Sequence, residues 1–350
     1  MFRNLEQVRG PISMNIQAVA RRAGVSTATV SRTINGSDKV TQETADRVRA
    51  AIRDLSFHPN ANARSLGSGR SNFYGLIISD ITNPFFPEIA KAFEDVAIEH
   101  GQDVLIANTS YNPVRMEVCV RRMLQRKVDG VAIMTSEMDD HLIEMLRGQN
   151  IPIVLLDSGT PDAGISVVRI DYSAGVDSGM GHLLGLGHRR FAFISGPLHL
   201  ASALTRFRAF NDGLARNHLV THQALIREGN HRVDGGHDAM AQILESGALP
   251  TAIMASNDLT AIGAMGAIYE RGLRIPEDVS VLGYDDIQLS AFTQPALTTI
   301  RLPRDEIARI AFRALFRSPR QGTGKLIDGG EYLVQPTLVL RKSTGPACGS

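Results

Sequence analysis

The chain has 350 residues, 43% of them hydrophobic, which is enough to bury one or two sizeable cores beside a small module and too apolar for a disordered protein. The formal charge of +1 hides an asymmetry: residues 1–70 hold 11 of the 37 Lys and Arg but 5 of the 36 Asp and Glu, an excess of +6 over a body at −5, which confines any nucleic-acid contact to one end. Two cysteines, Cys119 and Cys348, exclude a disulfide framework and a thiolate metal cage, and no secretory or membrane-spanning apolar stretch is visible, so a cytoplasmic chain without membrane contact is expected.

Met14 stands directly before the first motif, so residues 1–14 read either as a disordered extension or as the stretch leading to a translation start at Met14. Residues 16–36 then read as two short helices around a glycine turn. Ala20 is small where a second helix must cross, Gly24 supplies a positive φ, and Val19, Val25 and Val30 give both helices one buried side. Ser26 is placed to cap the second helix, whose exposed face carries Thr27, Ala28, Ser31 and Arg32, short polar groups and one bidentate donor suited to base edges in a major groove. An ordinary helical hairpin has the same spacing. Arg21, Arg22, Arg32, Lys39, Arg47, Arg49 and Arg53 surround the motif and favour the DNA reading. Thr41 is expected to cap a third helix with Ala45, Val48, Ala51, Ile52 and Leu55 inward, completing a helix-turn-helix domain over 15–59.

Pro59 disfavours helix at His58, and Asn60 can cap the short stretch from Ala61 to Leu66 before the flexible joint Gly67 to Ser71. So short a helix cannot persist alone, and residues 60–72 read as a hinge that folds on contact. From Phe73 onward the pattern is βαβ. Strands are expected near Gly75–Ser79, Asp103–Ala107, Gly130–Met134 and Ile153–Leu156. A second series follows near Val167–Ile170, Phe191–Ser195, Ala252–Ala255 and Ser280–Gly283, with helices between. The fold class is therefore α/β, a helical headpiece plus a two-lobed doubly wound core over 73–341. Lobe 1 takes about 73–170 and 303–334, lobe 2 about 171–302 and 335–341, and 342–350 is left as a tail. A cleft between the lobes collects strand carboxyl ends, where open α/β sheets bind ligands.

Several catalytic and cofactor signals fail. The glycines around Gly179 to Gly185 have the wrong spacing for a dinucleotide loop and fall within a helix, and Gly322-Thr-Gly-Lys325 lacks the Ser or Thr of a phosphate loop. The ten histidines form no zinc pattern. No enzyme, cofactor or metal is expected.

The residues from Asn15 to about Arg341 resemble the LacI/GalR-type bacterial transcription regulators. The marks are Ala20 through Gly36, Pro59 through Leu66, and Ser79-Asp-Ile-Thr-Asn-Pro-Phe-Phe86. Further on come Gly187-His188, Gly196-Pro-Leu198, Asn257-Asp258, Gly283-Tyr-Asp-Asp286 and Leu297-Thr-Thr-Ile300. The resemblance implies a headpiece, a hinge helix and a core like that of type I periplasmic sugar-binding proteins, assembled as a homodimer on double-stranded DNA with a pseudo-palindromic operator. Thr27, Ala28 and Arg32 match base-reading positions, Ser31 and Asn35 match phosphate or edge contacts, and Asn60 and Ala63 belong to the hinge whose Leu66 wedges into a minor-groove step. In the core, Arg206 and Asp285 match a guanidinium and a carboxylate that hold the effector, and Phe85 is the aromatic expected to stack on it while Phe86 is buried. Asp80, Asn83, Asp157, Ser202, Asn257 and Asp258 sit at strand ends or helix starts, where each serves either a ligand or a helix cap. Purine-responsive members carry an aromatic at Ser158 and an arginine at Leu200, which argues against a purine, and the resemblance, to a family whose members mostly sense carbohydrates, implies a sugar or sugar acid as effector. No leucine heptad follows Arg341, which leaves a dimer. The implied function is an allosteric repressor; the alternative is a sugar-type solute-binding protein without a transcriptional role.

Overall fold

The computed structural model describes residues 15–34, 36–57, 70–135, 138–220, 222–316 and 328–348. The expectations for the 1–14 extension and for Asn35, Asn60, Ala63 and Leu66 lie outside the described residues. The chain divides into two compact units, 1–71 and 72–350.

The first unit contains α1 (Ile16–Ala23), α2 (Thr27–Ile34) and α3 (Gln42–Asp54). Asn15 Oδ1 accepts from the Ala18 N–H at 3.0 Å to start α1, and Gly24 ends it at φ +66°, where a Cβ would be strained. The Ser26 hydroxyl accepts from the Thr29 N–H at 3.1 Å, as the sequence predicts for the start of α2. Thr41 behaves otherwise: it precedes α3 without capping it, because its hydroxyl donates to Thr44 Oγ1 at 2.9 Å instead. Val19, Ala20, Ala23, Val30, Val48 and Ala51 close the small core between the three helices.

In the second unit the first sheet holds β1 (Phe73–Ile78), β2 (Asp103–Asn108), β3 (Gly130–Met134), β4 (Ile153–Leu156), β5 (Ile165–Ile170) and β11 (Glu331–Val334), in the order β11-β5-β4-β3-β1-β2, all parallel. The second sheet holds β6 (Phe191–Ser195), β7 (Ile226–Glu228), β8 (Ala252–Ala255), β9 (Ser280–Asp285), β10 (Thr298–Arg301) and β12 (Thr337–Val339), in the order β12-β10-β9-β8-β6-β7, with only β12 antiparallel. The two orders repeat one another, each reversing direction between its first and third strands (β1 and β3, then β6 and β8), the place where open sheets take ligands. β5, which heads the second strand series but falls in lobe 1 by the bound at 170, lies in the first sheet between β4 and β11.

The helices are α4 (Phe85–Glu99), α5 (Pro113–Arg126), α6 (Asp140–Arg147), α7 (Tyr172–Gly185), α8 (Ala201–Arg216), α9 (Val233–Glu245), α10 (Asp258–Glu270) and α11 (Arg304–Phe316). The chain crosses between lobes after β5, after β10 and after β11, so α11 returns to lobe 1 and packs on α4. One apolar cluster runs through both lobes, from Tyr74, Phe93 and Phe312 to Phe193, Phe210 and Leu282. Residues 342–347, expected as a tail, are built into lobe 2: the Val281 N–H donates to Ser343 O at 2.8 Å, the Thr298 N–H to Ser343 Oγ at 2.8 Å, and the Ala347 N–H to Leu186 O at 2.9 Å. Among the described residues no helix is long and apolar enough to cross a membrane.

Candidate ligand cleft and nucleic-acid interface

In the first unit α2 turns Val30 into the core and leaves Thr27, Ala28 and Arg32 exposed, with Ser31 half-buried beside them. This is the face the sequence predicts. The surrounding cations divide by role. Arg47 is structural, since Nη2 donates to Ala23 O at 2.7 Å and caps the end of α1, and Arg22 and Arg49 pair with Asp54 and Asp46, each at 2.8 Å. Arg21, Arg32, Lys39 and Arg53 have no ion pair among the described residues and are exposed, so their charge is available to phosphate.

In the second unit the strand ends of both sheets enclose a cleft with about 640 Å³ of atom-free space, part of it open to solvent. Arg206 is its central cation. Leaving β6, the chain begins α8 just after Leu200, and the helix carries Arg206 inward until 7% of it is exposed. Its Nε donates to Ser202 O at 3.2 Å and its Nη1 to Ser256 O, while the Tyr172 and Tyr284 rings lie 5.2 and 5.1 Å from its guanidinium carbon. Two aromatic faces and two carbonyls thus hold a desolvated charge. Nη2 forms no hydrogen bond within the described residues and remains for a guest.

Asp285 ends β9 at φ +107°, followed by Asp286 at +56°. Arg304 fixes this turn by donating to the carbonyl oxygens of both, at 2.6 and 2.8 Å. The Asp285 carboxylate lies 3.6 Å from Arg206 Nη1, beyond hydrogen-bond length, and accepts no hydrogen bond among the described residues. Burial pushes its pKa up to about 8 against the pull of Arg206. A carboxylate so placed lacks donors, and a guest with hydroxyl groups would supply them.

The other predicted residues separate into those on the cleft wall and those the fold has claimed. Asn83, Phe85, Asp157, Ser202 and Asn257 line the cleft; Asp80 and Asp258 do not. The Asp258 carboxylate accepts from the Ile287 N–H at 2.9 Å and from the Ser290 and Thr299 hydroxyls, which ties α10 to the β9–β10 connection. Its effector assignment is corrected to a structural one. Asp80 accepts from Thr82 through Oδ1 and from Arg232 Nη2 through Oδ2 at 2.8 Å, so it too is a bridging residue and not a wall residue. Asp157 reaches the wall with both oxygens used, by Tyr172 Oη at 2.6 Å and the Ile170 N–H at 2.8 Å, and burial raises its pKa. Asn83 Oδ1 accepts from the Phe85 N–H at 3.1 Å, and Asn257 caps α10 by accepting from the Thr260 N–H at 2.9 Å. The Ser202 hydroxyl makes no hydrogen bond within the described residues. Phe86 is buried as expected, but Phe85 is buried too and both line the cleft, packed edge to face at 5.2 Å.

Sequence reasoning missed His231. It follows the three-residue β7, sits at φ +62°, and contacts the Ser256 hydroxyl through Nε2 at 3.0 Å. Burial, aided by Arg206, pushes its pKa down to about 3, so the ring is neutral. Gly196 makes room for it, because a Cβ there would stand 1.9 Å from Nε2. The Gly196-Pro-Leu198 motif was the available signal, a glycine directly after a strand where something approaches closely. The Ser256–His231 spacing resembles a nucleophile–base pair, but Ser256 is off the cleft wall and a ring with so low a pKa is a poor base. No group of three or more His, Cys, Asp or Glu among the described residues could hold a metal ion.

Comparison with known proteins agrees with this division into units. Residues 15–60 match the model of bacterial regulatory proteins of the lacI family, and residues 180–344 match a periplasmic binding protein-like domain. The chain is 33% identical to the HTH-type transcriptional repressor PurR of Histophilus somni (strain 129Pt), over 94% of this chain and 98% of that protein. It is 34% identical to the ribose operon repressor of Escherichia coli (strain K12), over 87% and 93%. The crystal structure of the lac repressor dimer bound to operator and the anti-inducer ONPF superimposes with a TM-score of 0.80 at 29% identity, covering 95% of this chain and 99% of that one.

Proposed function

The chain belongs to the lacI family of bacterial regulatory proteins, and from that premise we propose that it is a dimeric, sequence-specific repressor whose hold on DNA is governed by a small carbohydrate in the core cleft. The observation that carries the effector half is the pair Arg206 and Asp285: a buried cation with one free nitrogen facing a carboxylate without donors. Adjacent hydroxyls of a sugar satisfy both at once, donating to Asp285 and accepting from Nη2, while Ser202 takes a third and Phe85, Phe86 and Leu200 cover an apolar ring face. Leu200 brings no charge to the wall where purine-responsive members carry arginine, which favours a sugar over a purine.

The DNA half rests on Thr27, Ala28, Ser31 and Arg32 of α2, with Arg32 as the guanine reader, and the resemblance adds Asn35 as a phosphate or base-edge contact. Two such helices across a dimer axis require a pseudo-palindromic site. Residues 60–72, with Asn60, Ala63 and Leu66, are the hinge through which the lobes bias operator binding. Reciprocity then demands that a sugar which weakens operator binding is itself bound more weakly on the operator, typically by about 1–3 kcal/mol. Relatives are named as transcriptional repressors and not as enzymes, and a cytoplasmic site of action follows from the DNA partner. The test is fluorescence anisotropy of the full chain on promoter fragments, with and without a panel of sugars, sugar acids and nucleosides. Sequence-selective binding altered by a neutral sugar is expected; binding without sequence preference at moderate salt overturns the reading.

A further inference from the structure

We propose that Asp80 and Arg232 form a latch across the mouth of the cleft, holding the lobes closed and positioning the turn that presents His231. Its consequence for a guest rests on the effector reading above; the closure itself does not.

Asp80 follows β1 in lobe 1 and Arg232 immediately precedes α9 in lobe 2, 152 residues apart, and their side chains meet at 2.8 Å. Among the described residues no other ion pair joins the lobes. Each partner is aimed from its own side. Thr82 donates to Asp80 Oδ1 from its N–H at 3.0 Å and its hydroxyl at 2.7 Å, which leaves Oδ2 pointing outward to Arg232. In lobe 2 the Arg232 N–H donates to Asn230 Oδ1 at 2.9 Å, and Asn257 Nδ2 donates to His231 O at 3.0 Å, which fixes the turn at its left-handed residue. The pair is therefore the crossing bond between two preset loops, and both loops carry cleft-lining residues, Asn83 and Phe85 on one side and His231 on the other.

The two ends differ in exposure, and this makes the contact reversible. The Asp80 side chain is 4% exposed and that of Arg232 is 54% exposed. Burial alone would raise the Asp80 pKa, yet the Thr82 hydrogen bonds and Arg232 bring it below its ordinary value, so the buried end stays charged and needs its partner. The exposed end remains open to water and salt, which weaken the attraction. Opening the cleft strips a buried anion of its counter-charge, a penalty that favours the closed state without locking it. Elsewhere the lobes are joined by hydrogen bonds and not by ion pairs, from the Gln288 N–H to Glu88 Oε1 at 3.0 Å and, beside the interlobe crossovers, from Tyr172 Oη to Asp157 Oδ2 and from Arg304 to the Asp285 and Asp286 carbonyls. Arg232 touches no guest. It is a positioning residue.

The test is an interlobe distance measurement by paired spin labels on the full chain without ligand, at the exposed positions Gln149→Cys and Gln242→Cys, with Cys119→Ala and Cys348→Ser. Arg232→Gln, Asp80→Asn and the double variant should each shift the distribution to longer distances by the same extent, molar salt should do so in the parent, and Arg232→Lys should stay closed. A purely structural role predicts a lowered melting temperature with the distances unchanged. An unchanged distribution in Arg232→Gln, or a double variant that shifts by the sum of the singles, overturns the latch. Should Asp80→Asn fail to fold, Arg232→Gln at its exposed position carries the result alone. In a second arm, D-ribose is titrated against parent and Arg232→Gln. Its apparent affinity should weaken by about 5- to 30-fold as the closed fraction falls, and an equal affinity in both counts against the latch. Failure of D-ribose to bind the parent counts against the proposed effector class alone, and the distances still judge the latch.

Discussion

Asp285→Asn separates a carboxylate kept for a guest from one kept for the fold. At 3.6 Å and an effective dielectric near 20, the ionised pair with Arg206 gains about 5 kcal/mol of attraction. The carboxyl nevertheless sits at about 8, because burial outweighs that attraction. Near neutral pH the empty cleft therefore holds a largely protonated acid, and the amide replaces it with little change of shape or charge. Arg206 loses no hydrogen bond, since Ser202 O, Ser256 O and two tyrosine faces still hold it. Stability should change by less than about 1 kcal/mol. A sugar hydroxyl, by contrast, loses a charged acceptor worth about 1.5–3 kcal/mol, or roughly 10- to 150-fold in affinity, measured above the Asp285 pKa. Because such a hydroxyl favours the ionised form, parent affinity should also rise with pH through about 8, and the variant should lose that slope. Calorimetric melting and titration of the same preparations read both quantities. A stability loss of about 3–5 kcal/mol, or unchanged sugar affinity, would refute the assignment, since either outcome makes the carboxylate structural.

Raised carboxyl groups also set the pH dependence of the core. Asp285 and Asp258, pushed by burial to about 8 and about 7, hold protons that the unfolded chain has released above its ordinary value of 3.8. Folding then takes up protons through these groups; below about 6.5 the buried His231, held to about 3, works the other way, so the melting temperature of the core should fall as pH rises from about 6.5 through 8, and a rise across that window would contradict those values. Arg32→Ala should relax discrimination at one guanine by about 1–3 kcal/mol in competition binding, whereas equal losses on specific and random DNA would make it a phosphate contact. Gly196→Ala should cost about 1–3 kcal/mol in a core melt and abolish the sugar response while operator selectivity persists, because the new Cβ falls on His231; a normal response would show that the ring has no part in the site.

What was legible in the sequence follows from what burial leaves in a pattern. β3 reads as a strand because all five residues of Gly130–Met134 are buried between helix layers, so the run is unbroken. β7 and β11 lie at sheet edges with largely uncovered side chains, and neither Ile226–Glu228 nor Glu331–Val334 shows a sustained apolar run. The missing β7 hid His231, since a histidine without a strand end behind it gives no reason to place it in a cleft. Thr41 failed as a cap for a different reason: capping depends on a hydroxyl rotamer, and Thr44 competes for it. The face of α2 was readable because period 3.6 assigns Val30 inward and Thr27, Ala28 and Arg32 outward whatever surrounds them.

Four aspartates near strand ends carry one residue type and three kinds of role, and only hydrogen-bond saturation tells them apart. Asp258 meets three donors, two from the β9–β10 connection and one from β10, so its oxygens hold α10 to that part of the sheet. Asp157 meets two, one on each oxygen, and reaches the cleft already partnered. Asp80 spends one oxygen on its own turn and the other on the opposite lobe. Asp285 alone among them accepts no hydrogen bond from the described residues, although its burial makes that costly. On the proposed reading, a fold that satisfies the first three and leaves the fourth open leaves the missing donors to be supplied by a guest. Affinity for that guest is then greatest for molecules bearing hydroxyl groups that replace the absent partners, and it grows as the lobes close and water is excluded from the same carboxylate.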